Sequence, residues 1–175
     1  NVSYLIDNKY ALFADYLRSP GVYQCPADHS RVSLNGVVGR RIRNYSLNGY
    51  LAWEFPTTDV KNSQTFQSFF KSSELASANP SQLFTFIDAS PVNLCYPAFV
   101  LYMGDTGWFW HRPTVEHVQS GVVSFADGHV EAHRWRDPTT ILYAREGGGD
   151  GSHFVFVKPD NEDLRWLQQH ASIRK

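Results

Sequence analysis

The segment GVVSFADGHVEAHRW, running from Gly121 to Trp135, constrains the fold of this chain more than any other. Two short runs flank Asp127-Gly128, a dipeptide suited to a type I′ hairpin turn because glycine accepts positive φ and aspartate tolerates it. With Asp127 and Gly128 as the two loop residues, Ala126 faces His129, Ser124 faces Glu131 and Val122 faces His133. Side chains alternate across a strand. One face then carries Val123, Phe125, Val130 and Ala132 and reads as the core face. The other carries Ser124, His129, Glu131 and His133, with Val122 and Trp135 at its far end.

His129, Glu131 and His133 recur at two-residue spacing, about 6.6 Å on a strand, which suits a metal ion. A catalytic zinc site would also need an open position and second-shell support. A solvated polar face explains the same residues and is the preferred reading. His117 precedes Gly121 closely and belongs near the open end of the hairpin, whereas Asp127 sits at its tip. About 20 Å of strand separates those ends, so His117 and Asp127 do not share an ion.

Length and composition fit one domain with a substantial core: 175 residues, 42% hydrophobic and 15% aromatic. The net charge of −1 argues against a nucleic-acid partner, which calls for a basic patch. Arg40, Arg41 and Arg43 read as a solvated strand face. No run of apolar residues is long enough to span a membrane. Cys25 and Cys95 fit no zinc pattern, and one disulfide or two thiols are both open. The chain starts at Asn1 and its only Met is Met103, so a processed or truncated product is expected, with an N-terminal targeting or membrane segment removed.

Along the chain, residues 1–19 predict a helix, with Ile6, Tyr10, Phe13 and Leu17 at helical spacing and Leu5, Leu12 and Tyr16 widening the stripe. Residues 22–157 predict sheet and loops. Asn35-Gly36 and Asn48-Gly49 are turn signals, and Gln82–Asp88 is a strand apolar on both faces and therefore central. A short helix is expected around Thr65–Lys71 and another from Ser72. Ala89–Ser120, rich in aromatics and prolines, predicts an irregular folded excursion. Its Trp108 and Trp110 could form a ligand platform, although covering the sheet is the preferred role. Asp137-Pro138-Thr139-Thr140 follows the hairpin, then a glycine-rich stretch over 146–152 and a strand over 153–157. Asp160 caps a final helix to Ala171, with Leu164, Leu167 and Ala171 buried.

Signals for catalysis are weak. There is no G-x-S-x-G elbow, no activated cysteine context, no P-loop and no dinucleotide fingerprint. Asp150, Asp160, Asn161 and Asp163 offer oxygen ligands without EF-hand spacing. No cofactor is expected; calcium and zinc are the ions the residues would admit.

Four segments together resemble one family. His117, nine residues and then Asp127-Gly128 is similar to the H-x9-DG signature of type IV pilin-like proteins, the prepilin-type group of planctomycetes and related bacteria. Gln24-Cys25-Pro26-Ala27-Asp28 resembles its CPxD segment, Asn44-Tyr45-Ser46-Leu47-Asn48-Gly49-Tyr50 its SYxxNGY strand, and Phe125–Val130 its FADGHV core. The matches lie in the family's order over residues 22–136. The resemblance implies an α+β fold in which an N-terminal helix packs on an antiparallel sheet, as in type II secretion pseudopilins, with long loops and a short C-terminal helix. It implies one soluble pilin-like domain over 1–175, with 1–19 helix, 22–157 sheet and loops and 160–171 C-terminal helix. It further implies an exported, non-enzymatic subunit, in the periplasm or at the cell surface. Its precursor would be anchored in the inner membrane by a hydrophobic helix half that also contacts other pilin-like subunits. His117, Asp127 and Gly128 would be structural. No calcium ligands carry over from pseudopilin relatives. The alternatives are a secreted glycan-binding or glycan-processing domain using the aromatics of 96–110, and a metal enzyme using His129, Glu131 and His133.

Overall fold

A computed structural model describes residues 2–53, 64–96, 98–146 and 154–175. The chain forms two compact units, Asn1–Tyr45 and Ser46–Lys175.

In the first unit, helix α1 covers only Ser3–Ile6. The expected helix to residue 19 does not form. Asp7 takes an extended conformation, and its carboxylate accepts the Lys9 N–H at 2.8 Å. That local bond competes with a helical one. Much of the apolar stripe is uncovered: Leu12 is 94% exposed, and Tyr10, Phe13 and Tyr16 are also exposed, while Leu5, Ile6 and Leu17 are half-buried. An isolated helix of this length is marginal in water without tertiary packing.

Strands β1 (Arg31–Leu34) and β2 (Val37–Arg40) pair antiparallel, with Leu34 opposite Val37. The two loop residues between them are Asn35 and Gly36, both at positive φ (51° and 79°), as a type I′ turn requires. Behind this hairpin Asp28 is buried. It accepts from Ser30 N–H at 2.7 Å and from the Asn44 amide, while Asn44 Oδ1 accepts from Cys25 N–H at 2.8 Å. Burial alone would raise the Asp28 carboxyl, but bonds from Ser30 and Asn44 and the nearby Arg41 hold it below its ordinary value. The arginine run is therefore more than a solvated face: Arg40 donates to Asp28 O, and Arg41 lies 4.0 Å from its carboxylate.

The second unit is built on a five-stranded mixed sheet. Its strands are β3 (Tyr45–Asn48), β4 (Phe84–Asp88), β5 (Ala98–Phe99), β7 (Ser120–Phe125) and β8 (Val130–Arg134), ordered β5-β3-β4-β7-β8. β4 is central, as its two-sided apolar pattern predicts. β3 and β5 run parallel, whereas β7 pairs antiparallel with both neighbours. A separate ribbon pairs β6 (Trp108–Phe109) with β9 (Val155–Phe156). Two helices follow the hairpin, α2 (Pro138–Glu146) and α3 (Glu162–Ala171). Leu164, Leu167 and Ala171 of α3 are buried in one cluster with Phe84, Val123, Phe125 and Trp135 of the sheet. The described residues contain no helix long and apolar enough to cross a membrane.

Other local expectations are corrected. Residues 65–71 are extended: Phe66 bridges Arg174, Phe69 bridges Leu51, and backbone bonds tie Gln67 to Ile173 and Phe69 to Tyr50. A short 3-10 helix does occupy Ser72–Ala78. The cap of α3 is Asn161, whose side chain accepts from Leu164 N–H at 2.8 Å; Asp160 instead lies exposed beside Lys158. Helix α2 begins in the Asp137-Pro138-Thr139-Thr140 segment, for which the sequence predicts no element. Asp137 starts it by accepting from Thr139 N–H at 2.8 Å, and Pro138 occupies its first turn. The glycine run at 147–149 and His153 lie outside the described residues.

Candidate functional site

The hairpin forms, but with a register one residue away from the two-residue turn. Ser124 pairs Val130, Val123 pairs Glu131 and Gly121 pairs His133. Phe125 N–H donates to His129 O at 2.9 Å and Gly128 N–H to Phe125 O at 3.0 Å. The loop is therefore Ala126-Asp127-Gly128, with Gly128 alone at positive φ, 94°. This is the three-residue hairpin loop that ends in a left-handed glycine. One residue of register exchanges the faces of β8 relative to β7. Val130 and Ala132, expected in the core, are exposed, while His129, Glu131 and His133 share a face with Val123 and Phe125.

That face is an aromatic stack. The His129 ring lies on Phe125, 4.3 Å between centroids and 5° from parallel. His133 stacks on Trp166 of α3 at 3.7 Å, and His170 stacks on the same indole at 4.2 Å. Trp135, buried, packs against His133 and donates from Nε1 to Thr114 O at 2.8 Å. The three candidate metal residues thus share a face, but the rings of His129 and His133 are held by stacking. His129 is also bonded to Asp127 at 2.6 Å, and His133 Nδ1 stands 3.8 Å from Glu131. The His129 N–H and then its ring hold the Asp127 carboxyl below its ordinary value.

Burial, first, pushes His133 below its ordinary pKa; Glu131 opposes the shift, and His170 and Arg136 add to it. The folded state therefore favours neutral His133. The unfolded chain takes up the proton first as pH falls. Its contribution to stability should be complete above the unfolded value near 6.5 and lost as pH falls through the lower folded value. Thermal melts of wild type and His133→Gln from pH 8 to 5 should converge as pH drops. A constant difference would contradict this reading.

The H-x9-DG residues serve opposite ends of β7. Gly128 turns the tip, and Asp127 accepts the His129 N–H at 3.1 Å. At the other end His117 Nε2 lies 3.1 Å from Oδ2 of buried Asp88, the last residue of β4. Backbone bonds from Thr114 to Asp88 and from Ser120 to His117 close this corner. The nine-residue spacing thus spans β7, the corner at Val118-Gln119 before it and the first loop residue, Ala126, after it. His117→Ala should cost about 2 kcal/mol of stability by weakening the contacts of a buried carboxylate. Gly128→Val should cost about 2 kcal/mol by forcing a β-branched residue to positive φ. Denaturant unfolding reads both; an unchanged midpoint for either variant would refute the role given to that residue.

The other motif residues are also bonded into the scaffold. Asn48 donates to Phe84 O and Ala171 O, both at 2.9 Å, and accepts from Tyr50 N–H at 3.0 Å. A Cβ on Gly49 would stand 2.9 Å from Phe99 O. Buried Asp163, at the start of α3, accepts from Arg136 and Asp137 N–H groups. Burial nonetheless leaves its carboxyl above the ordinary value. The sequence gives no local sign of these long-range bonds; the first-turn position of Asp163 suggests only a helix-dipole role.

Cys25 is buried, Cys95 is exposed, and the described residues contain no disulfide. Cys95 Sγ lies 3.2 Å from His111 Nε2, while His111 Nδ1 accepts from Val100 N–H at 2.8 Å. The neutral ring therefore carries its proton on Nε2, facing the sulfur. In that tautomer it cannot take the thiol proton, so the pair lacks the nucleophile–base arrangement of a cysteine enzyme.

Trp108 and Trp110 sit on the β6–β9 ribbon. Trp108 meets Phe156 edge-on at 5.3 Å, and Trp110 meets Phe154 at 4.6 Å. Tyr102 adjoins both Trp110 and Phe154. Trp108, Phe154 and Phe156 are exposed. Compared with protein-family models, characterised proteins and solved structures, the chain matches none.

Proposed function

We propose that this chain is the globular part of an exported, non-enzymatic pilin-like or pseudopilin-like subunit of a type II secretion or type IV pilus-like assembly. One observation carries the reading. Residues that bear the resemblance are bonded into the scaffold. His117 meets Asp88, Gly128 turns the hairpin, Asn48 ties β3 to β4 and α3, and Asp28 joins Asn44. A motif set used in this way suits a protein that presents a surface more than one that transforms a substrate. Other pilin-like subunits and the inner membrane would be met through a hydrophobic helix preceding Asn1 in the precursor, not through the short α1. The test is N-terminal sequencing of the mature native protein. A start within an apolar helix of about 20 residues, cut after a short basic leader, supports the reading. Cleavage at a small-residue secretory site directly before this globular region refutes it.

A second reading rests on the ribbon aromatics. Their exposure favours a sugar-binding surface, although the edge-to-face rings do not make a flat platform. Trp108→Ala should then abolish glycan retention while leaving the melt unchanged. Absence of retention by the wild type across a glycan array would dismiss the idea.

A further inference from the structure

At the open end of the hairpin, away from the aromatic stack, lies an open depression of about 450 Å³ lined by Val115, Glu116, Val118, Gln119, Arg134 and Arg145. Arg134 pairs with Ser120 at the end of β8, and Arg145 closes the last turn of α2. We propose that this depression binds a small hydroxylated oxyanion, a phosphate- or carboxylate-bearing polyol, whose anionic group is held by Arg134 and Arg145.

Two observations support the assignment. The first is charge. None of the ion pairs among the described residues engages Arg134, Arg145 or Glu116. Two arginines and one glutamate therefore line one concavity, a net charge of about +1 at neutral pH. Guanidinium offers only donors, in a fork that matches the two oxygens of a phosphate or carboxylate. Two forks lining one depression complement a single oxyanion, and the volume suits a small molecule. Glu116, an acceptor only, is left to receive a hydroxyl of the same ligand.

The second observation is strain in the wall. Val118 and Gln119 are both left-handed, at φ 55° and 61°. A β-branched residue is rarely found there, and Val118 is 84% exposed, so burial does not compensate. The corner is held by bonds from Gln119 N–H to Val115 O, from Ser120 N–H to His117 O and from Trp135 N–H to Gln119 O. Strain of this kind collects at ligand sites. The His117–Asp88 contact braces the same corner. The assignment does not depend on membership of a filament.

The experiment is isothermal titration of the folded protein with inorganic phosphate, glucuronate and glucose at matched ionic strength and pH 7. Phosphate and glucuronate should bind with millimolar Kd, glucuronate severalfold tighter, and glucose should show no binding. Arg134→Gln and Arg145→Gln should each weaken both anions at least fivefold, and Glu116→Gln should remove only the advantage of glucuronate. Circular dichroism checks that each variant is folded. The surface position of both arginines makes folding of the single variants the expected outcome. If phosphate gives no more heat than chloride, or both arginine variants bind like wild type, the site is refuted. If glucuronate binds no tighter than phosphate, the role of Glu116 and the polyol part are refuted.

Discussion

Asn48→Ala should remove about 3–5 kcal/mol of stability, enough to unfold a protein of ordinary marginal stability near physiological temperature. The Asn48 side chain is fully buried and makes three bonds at once. It reaches Phe84 O on the neighbouring strand, Ala171 O at the end of α3, and the N–H of Tyr50. Truncation leaves two carbonyls and an N–H unpaired away from water, and each such group costs about 1–3 kcal/mol. Asn48→Asp should be nearly as harmful, because a carboxylate cannot donate to either carbonyl. Urea unfolding measures both. A loss under about 1 kcal/mol for Asn48→Ala would show that the central strand does not depend on this residue.

Trp135→Ala should cost about 3–5 kcal/mol. Its ring is buried, donates to Thr114 O, and lies over Gly121. A Cβ on Gly121 would come within 3.1 Å of the indole, closer than ordinary packing allows. Gly121→Ala alone should therefore cost about 1–3 kcal/mol by overpacking. In the Trp135→Ala background most of that second penalty should vanish, because the ring it strikes is gone. A double-mutant cycle reads the coupling. Strict additivity would refute the account of Gly121 as the seat of the tryptophan.

Local patterns were legible. The hairpin at Asn35-Gly36, the central position of β4 and the buried stripe Leu164, Leu167 and Ala171 all follow from turn chemistry and periodicity. The hairpin at Asp127-Gly128 was legible in kind but not in register. A glycine after aspartate suits both a two-residue turn and a three-residue loop ending in a left-handed residue. The local sequence does not show what chooses between them. Trp166 on α3 stacks on His133, and Phe125 on β7 stacks on His129, so both histidines lie on the face that carries Phe125. The N-terminal helix failed for the converse reason. Its stripe is real, but periodicity cannot reveal that no surface covers Leu12 or Tyr16. Helix α2 is not legible in the sequence because adjacent threonines and a proline are weak helix signals, and its start shows only once Asp137 accepts from Thr139.

The segments that carry the resemblance to pilin-like proteins do not show what each of their residues touches. His117 was expected to bond near the open end of the hairpin, and its partner there is Asp88 of β4. Arg134 and Arg145 lie outside every motif, and only the fold brings them to one depression.

The assembly role is tested most directly by following the native, full-length protein in its own cells. Surface filaments and membranes are separated by shearing and ultracentrifugation, after brief cross-linking, and the chain is followed by antibody. The proposal predicts an apolar segment preceding Asn1 in the precursor and cross-links to other pilin-like subunits in the filament or inner-membrane fraction, lost when that segment is deleted. Recovery of the protein only as uncross-linked monomer in the culture fluid would contradict it.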